Sequence, residues 1–169
     1  MERLPARAVS VPIDRRRLFQ GFAILGAVSA YATIVLGGTV RGMDAGLACP
    51  DWPLCHGSAV PDLGRADVAV EYAHRLVAAF TSLFILLTMI LAFLWFRSDR
   101  RLVTVSFMTF ALLVAQIAFG AFTITSELDV AVVTAHLAVG TATLAFAVMV
   151  ALFSLRSGGG GVAEAAATP

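Results

Sequence analysis

Four long stretches of the sequence contain no Asp, Glu, Lys or Arg, and each is long enough to cross a lipid bilayer as a helix. They cover residues 18–40, 76–96, 102–126 and 130–155. A helix of about 20 apolar residues spans the hydrocarbon core of a membrane. The helices of a soluble bundle would each carry a polar face, whereas these stretches are apolar on all sides. The sequence therefore predicts an all-α, integral membrane four-helix bundle.

The composition and the distribution of charges support this division of the chain. Of the 169 residues, 59% are hydrophobic and 14% are charged, compared with roughly 25% charged in a soluble domain. The net charge of +1 gives no basis for nucleic-acid binding. We predict a basic N-terminal segment at 1–17, a four-helix transmembrane domain at 18–156 with an outer loop at 41–69, and a disordered Gly- and Ala-rich tail at 157–169.

Arginines are concentrated on one side of the predicted membrane. They precede the first stretch, join the second to the third and follow the fourth, at Arg3, Arg7, Arg15, Arg16, Arg17, Arg97, Arg100, Arg101 and Arg156. Because basic residues stay on the cytoplasmic side, we expect a multi-pass membrane protein with both termini cytoplasmic. The expected location is a prokaryotic plasma membrane, with an organelle inner membrane as the alternative. The first stretch also imitates a signal peptide with small residues at 27–30, but its apolar run continues to Val40, which favours a retained helix.

His74 and His136 are predicted to lie at the same depth in two helices that run in the same direction. Asp67 and Asp129 are plausible N-caps of these helices, and each histidine follows its aspartate by seven residues. At 1.5 Å per residue, both imidazoles would lie roughly 10 Å from the outer ends of their helices. The neighbouring residues match as well: Val70, Ala73, Ala78 and Thr81 correspond to Val132, Ala135, Gly140 and Thr143. The chain therefore resembles two related hairpins.

These two histidines are candidate axial ligands of a haem iron. A polar group inside lipid is costly and indicates a functional site, and neutral imidazole is a good iron ligand. A bare zinc ion would need more than two protein ligands, whereas haem takes two axial ligands. Ala78 and Gly140, one turn further in, would leave space for a flat macrocycle. The alternative is that each histidine only hydrogen-bonds a neighbouring helix; the matched pattern favours haem.

Three charged residues on the outer side are further candidates. Glu71 shares a helix face with His74 and could exchange a proton beside the metal or act on a bound substrate. As an acidic residue in a first turn, Glu71 could also simply be stabilised by the helix dipole. Spacing alone favours this second role. Arg75 and Arg41 could each pair with a haem propionate or act as interfacial anchors.

Cys49 and Cys55 are the only cysteines of the chain. They lie in the loop predicted to be outside, where disulfides persist, and we favour a disulfide that closes this loop. A metal site formed with His56 would lack a fourth ligand, and the spacing is not that of covalent c-type haem attachment. Whether the pair is a structural clip or a redox pair stays open.

Small residues and one amide in the first and third stretches are explained by helix packing. Gln116 is the main polar residue of the third stretch, with Gly120 one turn further on, and Gly37 and Gly38 lie in the first stretch. Small residues allow transmembrane helices to approach closely. Gly37, Gly38 and Gly120 could also support helix packing between chains.

Several segments together resemble the haem A synthase (CtaA-type) family. The most specific part is Cys-Pro-Asp-Trp-Pro-Leu-Cys, residues 49–55, followed by Glu-x-x-His-Arg, residues 71–75. Weaker matches are Gly38-Thr39-Val40-Arg41, Gly46-Leu47-Ala48, Gln116-Ile117-Ala118-Phe119-Gly120 and Ala135-His136-Leu137. The resemblance extends from about Gly37 to about Leu152.

The resemblance implies that a ring methyl of haem O is oxidised to a formyl group, giving haem A for terminal oxidases. It implies that His74 and His136 are the axial haem ligands, that Glu71 lies near the substrate methyl, and that Cys49 and Cys55 form the loop disulfide or a redox pair. The implied cofactors are haem b or haem O/A with its iron. The implied partners are the haem O substrate, the lipid bilayer, and haem O synthase or terminal oxidase subunits.

Typical members of this family contain two such four-helix halves, one for substrate haem and one for a haem b cofactor, whereas this chain has one half. Two copies could therefore pair as a homo-oligomer, a different partner could supply the second half, or the synthase activity has been lost. The alternative function is a b-type haem-binding electron-transfer or oxidase assembly protein without catalytic activity. A third interpretation treats both histidines as packing residues.

Overall fold

The structure is a computed structural model that describes residues 14–156, and within this range the regular elements are four long α-helices. They are α1 (Arg15–Gly42), α2 (Ala66–Trp95), α3 (Arg100–Thr125) and α4 (Val130–Arg156). Each is long and apolar enough to cross a membrane, so the predicted all-α, four-span bundle is confirmed. Positions 1–13 of the predicted basic segment and the predicted tail at 157–169 lie outside the described residues.

The second helix begins well before the apolar stretch at 76–96, so the polar residues around His74 lie inside the helix. Its 30 residues correspond to about 45 Å of helix, which exceeds the thickness of the hydrocarbon core, about 30 Å. The polar first turns of α2 can therefore project beyond the hydrocarbon. The connecting loop covers 43–65 and is shorter than the predicted 41–69.

One of the two predicted N-caps is confirmed and the other is wrong. The carboxylate of Asp129 accepts hydrogen bonds from the N–H groups of Ala131 and Val132, at 2.9 and 3.2 Å. At the start of α2 the N-cap is Arg65, which makes no side-chain capping bond. Asp67 lies within the first turn and binds the Arg65 guanidinium instead, a position where the helix dipole also favours an acidic side chain.

The helices form two hairpins that pack side by side. α1 packs against α2 and α4, and α3 packs against α4 and α2, with the most extensive packing inside the hairpins α1–α2 and α3–α4. The two helices that carry the histidines, α2 and α4, are therefore diagonal to one another. We call the end of the bundle that carries loop 43–65 the loop end.

A compact apolar cluster joins all four helices at the end opposite the loop end. Phe19 of α1 is 1% exposed, and its ring centroid lies 5.0 Å from that of Phe96. The buried members of the cluster are Phe19, Ala23, Ala92, Leu102, Val150 and Ala151. Many large apolar side chains elsewhere on the helices point outward, as a lipid-facing surface requires.

Candidate haem site and disulfide loop

The ring of His74 lies against Gly37 of α1. A Cβ atom at position 37 would lie 3.0 Å from Cε1 of His74, and 3.6 Å from each ring nitrogen, so a larger residue than glycine would require the ring to shift. The Nδ1 atom of His74 is buried and has no hydrogen-bond partner among the described residues. An unpartnered polar atom inside a bundle is costly, so this nitrogen is available to a ligand.

The ring of His136 occupies the equivalent place in the second hairpin. A Cβ at Gly120 of α3 would lie 3.3 Å from its Cε1, and its Nδ1 is likewise buried without a partner within residues 14–156. Its Nε2 lies 3.4 Å from Nε2 of Gln116, a distance at which a hydrogen bond is weak. This amide is the kind of contact that an incoming ligand could displace.

Gly37 and Gly120 occupy corresponding positions in the two hairpins, although the sequence indicated only helix packing for both. Gly37 and Gly120 stand at the same distance from the ends of their helices, at Gly42 and Thr125. Each faces the histidine of the following helix. This equal spacing is visible only in the structure, because the apolar stretches of the sequence end at 40 and 126 and place the two glycines three and six residues from those ends.

The two imidazoles are carried by α2 and α4, which lie diagonally around the axis of the bundle. Within residues 14–156 no group of three or more His, Cys, Asp or Glu side chains could hold a bare metal ion. The donor set is therefore a pair of imidazoles, each with a buried nitrogen to offer, which fits the axial ligation of a haem iron.

The residues predicted to leave space beside the histidines are only partly open. A Cβ at Gly140 would lie 2.8 Å from the Gln116 amide nitrogen, so the Gln116 side chain fills the space next to this glycine. Further from the loop end, Thr81 and Thr143 are buried, and Oγ1 of Thr81 lies 3.0 Å from Oγ1 of Thr33 on α1. A macrocycle between the histidines requires the flexible amide of Gln116 to move.

Glu71 and Arg75 form a buried ion pair one turn apart on α2. Oε1 of Glu71 accepts from Nε of Arg75 at 2.8 Å. Nη1 of Arg75 donates to the carbonyls of Asp51 and Leu54, at 2.7 and 2.6 Å, and Nη2 donates to the carbonyl of Cys49 at 2.7 Å. The guanidinium that was a candidate for a haem propionate is therefore directed at the backbone of the outer loop.

Arg41, the other candidate for a propionate, lies at the loop end of α1. Its side chain is largely exposed, and Nη1 lies 3.1 Å from Oδ1 of Asp44. An exposed pair of this kind is weakly held. Arg41 is therefore the more available of the two arginines for a ligand at the loop end.

Cys49 and Cys55 form a disulfide, which confirms the predicted bond. Both are buried, at 0% and 2% exposure, and they pack with Ala48 and with Val68 of α2. The chain then turns tightly at His56 and Gly57, whose φ angles are 54° and 72°. Gly57 suits this left-handed conformation because it has no Cβ.

The Asp51 carboxylate holds the turn that follows the disulfide. It accepts hydrogen bonds from the N–H groups of His56 and Gly57, at 2.6 and 2.8 Å. These bonds, that from Gly57 above all, lower the pKa of Asp51 below its ordinary value of 3.8. The same loop also contacts the second hairpin, because Gly46 faces the side chain of Leu128 in the α3–α4 turn.

These features define a four-span membrane protein built of two similar hairpins, each with a half-buried histidine whose Nδ1 atom is shielded, and with a disulfide-closed loop at one end. A family model described as cytochrome oxidase assembly protein matches residues 20–69 and 65–167. The chain belongs to this family and is of the haem A synthase (CtaA) type.

Curated relatives share part of their length with this chain. A heme A synthase from Shouchella clausii is 34% identical over 104 residues, which cover 62% of this chain and 35% of that protein. A heme A synthase from an Exiguobacterium species is 29% identical over 128 residues, which cover 75% and 42%. A protoheme IX farnesyltransferase from Natronomonas pharaonis is 35% identical over 132 residues, which cover 78% and 27%. The chain thus spans less than half the length of these relatives.

Proposed function

We propose that this chain binds haem between His74 and His136 and takes part in haem A biosynthesis, by oxidising a methyl group of haem O to a formyl group. The observation that supports the proposal is the pair of buried Nδ1 atoms, which have no hydrogen-bond partner within residues 14–156. Each belongs to an imidazole that lies against a glycine of its own hairpin. Membership of the haem A synthase type of family supports haem as the ligand.

Glu71 is the proposed catalytic residue. Its carboxylate is buried, at 6% exposure, and it lies one helical turn before His74, so both side chains project from one face of α2. In this position the carboxylate can accept a proton from a group that reacts beside the iron. A bound haem would supply the redox-active iron, through which the electrons removed from the methyl group would pass. Arg41 is the proposed partner of a propionate.

A homo-oligomer is proposed because residues 14–156 provide one pair of histidines with buried ring nitrogens. Two copies would supply two histidine pairs, one for substrate haem and one for a haem b cofactor. Among the glycines that could support packing between chains, Gly37 and Gly120 contact the histidines of their own chain, whereas a Cβ at Gly38 would have no neighbour within 4 Å in the described part of the chain. Gly38 is therefore the glycine available for contact with a second chain.

A haem O synthase is a proposed partner, and terminal oxidase subunits are proposed recipients of the product. The similarity to part of a protoheme IX farnesyltransferase supports the first of these, because a segment like this chain occurs there within a farnesyltransferase polypeptide. We place the protein in the plasma membrane with both termini cytoplasmic. The starts of α1 and α3 and the end of α4, which share the end opposite the loop end, carry most of the arginines.

The decisive experiment is purification in mild detergent, followed by a reduced-minus-oxidised absorption spectrum and identification of the extracted haems. We expect haem O or haem A together with haem b, and we expect His74→Ala and His136→Ala to lose haem. His56→Asn is the matched control, because His56 is exposed in the loop and asparagine tolerates its positive φ.

Glu71→Gln separates the enzyme from a haem carrier. The enzyme should keep its haem and lose formation of haem A, because the amide cannot accept a proton. A carrier would contain haem b alone and be indifferent to this substitution. A folded, haem-free wild-type protein would contradict the whole proposal.

A further inference from the structure

We propose that Arg75 is a positioning residue, which joins the disulfide-closed loop to the Glu71 carboxylate, so that the loop fixes where the carboxylate is held. The role of Glu71 at haem rests on the function proposed above. The connection between the loop and α2 is a property of the chain itself and can be tested without haem.

The guanidinium of Arg75 is shared between two structures. Its Nε edge faces Glu71, and its Nη atoms face three carbonyls of the loop, with all four donor–acceptor distances between 2.6 and 2.8 Å. The side chains of Arg75 and Glu71 are only 15% and 8% exposed, so their ion pair is largely shielded from water, whereas the bond to the Leu54 carbonyl is exposed. The planar guanidinium cannot rotate towards one partner without losing the other.

The disulfide brings the three carbonyl acceptors of Arg75 together. One of them belongs to Cys49, and the other two, at Asp51 and Leu54, lie between the two bonded cysteines. The Asp51 side chain further fixes the segment by accepting two N–H bonds from the turn that follows Cys55. Without the disulfide, the ends of this proline-containing segment could separate, and its three carbonyls would not be held near one guanidinium.

An ion pair between Glu71 and Arg75 alone would not fix the position of the Glu71 carboxylate. Glu71 and Arg75 are spaced i, i+4 and would attract one another on any helix, but an arginine held only by a carboxylate retains several rotamers. The loop carbonyls remove that freedom. Lysine keeps the charge but has a single ammonium group, which cannot span the carboxylate and three carbonyls together. Arg75→Lys is therefore the substitution that separates charge from position.

The test compares Arg75→Lys, the double variant Cys49→Ser/Cys55→Ser, and their combination in the full chain. Arg65→Lys is the matched control, because Arg65 is exposed at the loop end and pairs only with Asp67 among the described residues. The first readout needs no haem: it is hydrogen exchange of the loop amides between residues 49 and 58. We expect exchange about tenfold faster in Arg75→Lys, since a charged hydrogen bond contributes of this order.

The second readout is haem A formed per bound haem. We expect Arg75→Lys to keep haem and to lower this ratio about tenfold, whereas a merely structural defect would lower haem content and product together. In the Cys49→Ser/Cys55→Ser background, Arg75→Lys should add little, because both changes break the same connection. Additive effects, or an Arg75→Lys variant that behaves as Arg65→Lys does, would overturn the proposal.

The two proposals fail in different ways. A wild-type protein without haem would contradict the proposed function, while the exchange of the loop amides would still test Arg75. A wild-type protein that contains haem and forms haem A, with unchanged loop exchange and unchanged product ratio in Arg75→Lys, would contradict only the positioning role.

Discussion

Gly37 and His74 touch so closely that the glycine is part of the histidine's environment: a Cβ at position 37 would lie 3.0 Å from Cε1 of the ring. Gly120 and His136 repeat the relationship at 3.3 Å. Both rings are thereby pressed against the first helix of their own hairpin. A methyl group at either glycine would require the neighbouring imidazole to shift.

Gly37→Ala is expected to displace the His74 ring and to lower haem content or shift the absorption bands, even though alanine favours the helix by about 1 kcal/mol. Gly120→Ala should have a smaller effect, because its contact is less tight. Gly21→Ala is the control, since Gly21 lies on α1 with nothing within 4 Å of a Cβ. Equal spectra for Gly37→Ala and Gly21→Ala would show that the contact does not orient the ligand.

The buried disulfide is expected to resist reduction in the native protein. Thiol–disulfide exchange requires access to a sulfur atom, and both cysteines are almost fully buried. A water-soluble thiol should therefore reduce the bond at least about tenfold more slowly in the folded protein than after denaturation. The measurement is the mass increase on alkylation over time. Rapid reduction of the folded protein would instead favour a redox role for Cys49 and Cys55 over a structural one.

Acid is expected to loosen the turn after the disulfide. The pKa of Asp51 is lowered in the folded protein, so its contribution to stability is present above its unfolded pKa and is lost as the pH falls through the lower, folded value. The stability of the turn should thus be constant near neutral pH and should fall only below about pH 4. Fluorescence of Trp52, the neighbouring residue, reports this change. Asp51→Asn should remove the acid transition, and an unchanged transition would assign it to another group.

The apolar cluster opposite the loop end is expected to contribute most to the stability of the bundle. Phe19→Ala should lower the free energy of unfolding by about 3 kcal/mol, as is usual when a buried phenylalanine is truncated. Phe107→Ala is the control, because Phe107 is 55% exposed on the outside of α3. Thermal unfolding of the detergent-solubilised variants provides the comparison. A similar loss in both would mean that the cluster is no more stabilising than the lipid-facing surface.

The number and type of helices could be predicted because uncharged stretches of this length have few alternatives. The start of α2 was predicted to within two residues, because the N-cap expected at Asp67 lies two residues after the observed N-cap, Arg65. The loop partners of Arg75 could not be predicted, since these carbonyls lie more than twenty residues away in sequence and no local pattern encodes them. Asp67 shows the same limit, because the local pattern predicted an N-cap, whereas the Asp67 side chain binds the neighbouring Arg65.

The diagonal placement of α2 and α4 has a mechanical consequence. Because the most extensive packing lies inside each hairpin, each imidazole is held with the glycine that supports it, whereas the distance between the two imidazoles depends on how the hairpins pack on one another. The loop that binds Arg75 also contacts Leu128 in the α3–α4 turn. It therefore ties the two hairpins together at the loop end and restrains any change in that distance.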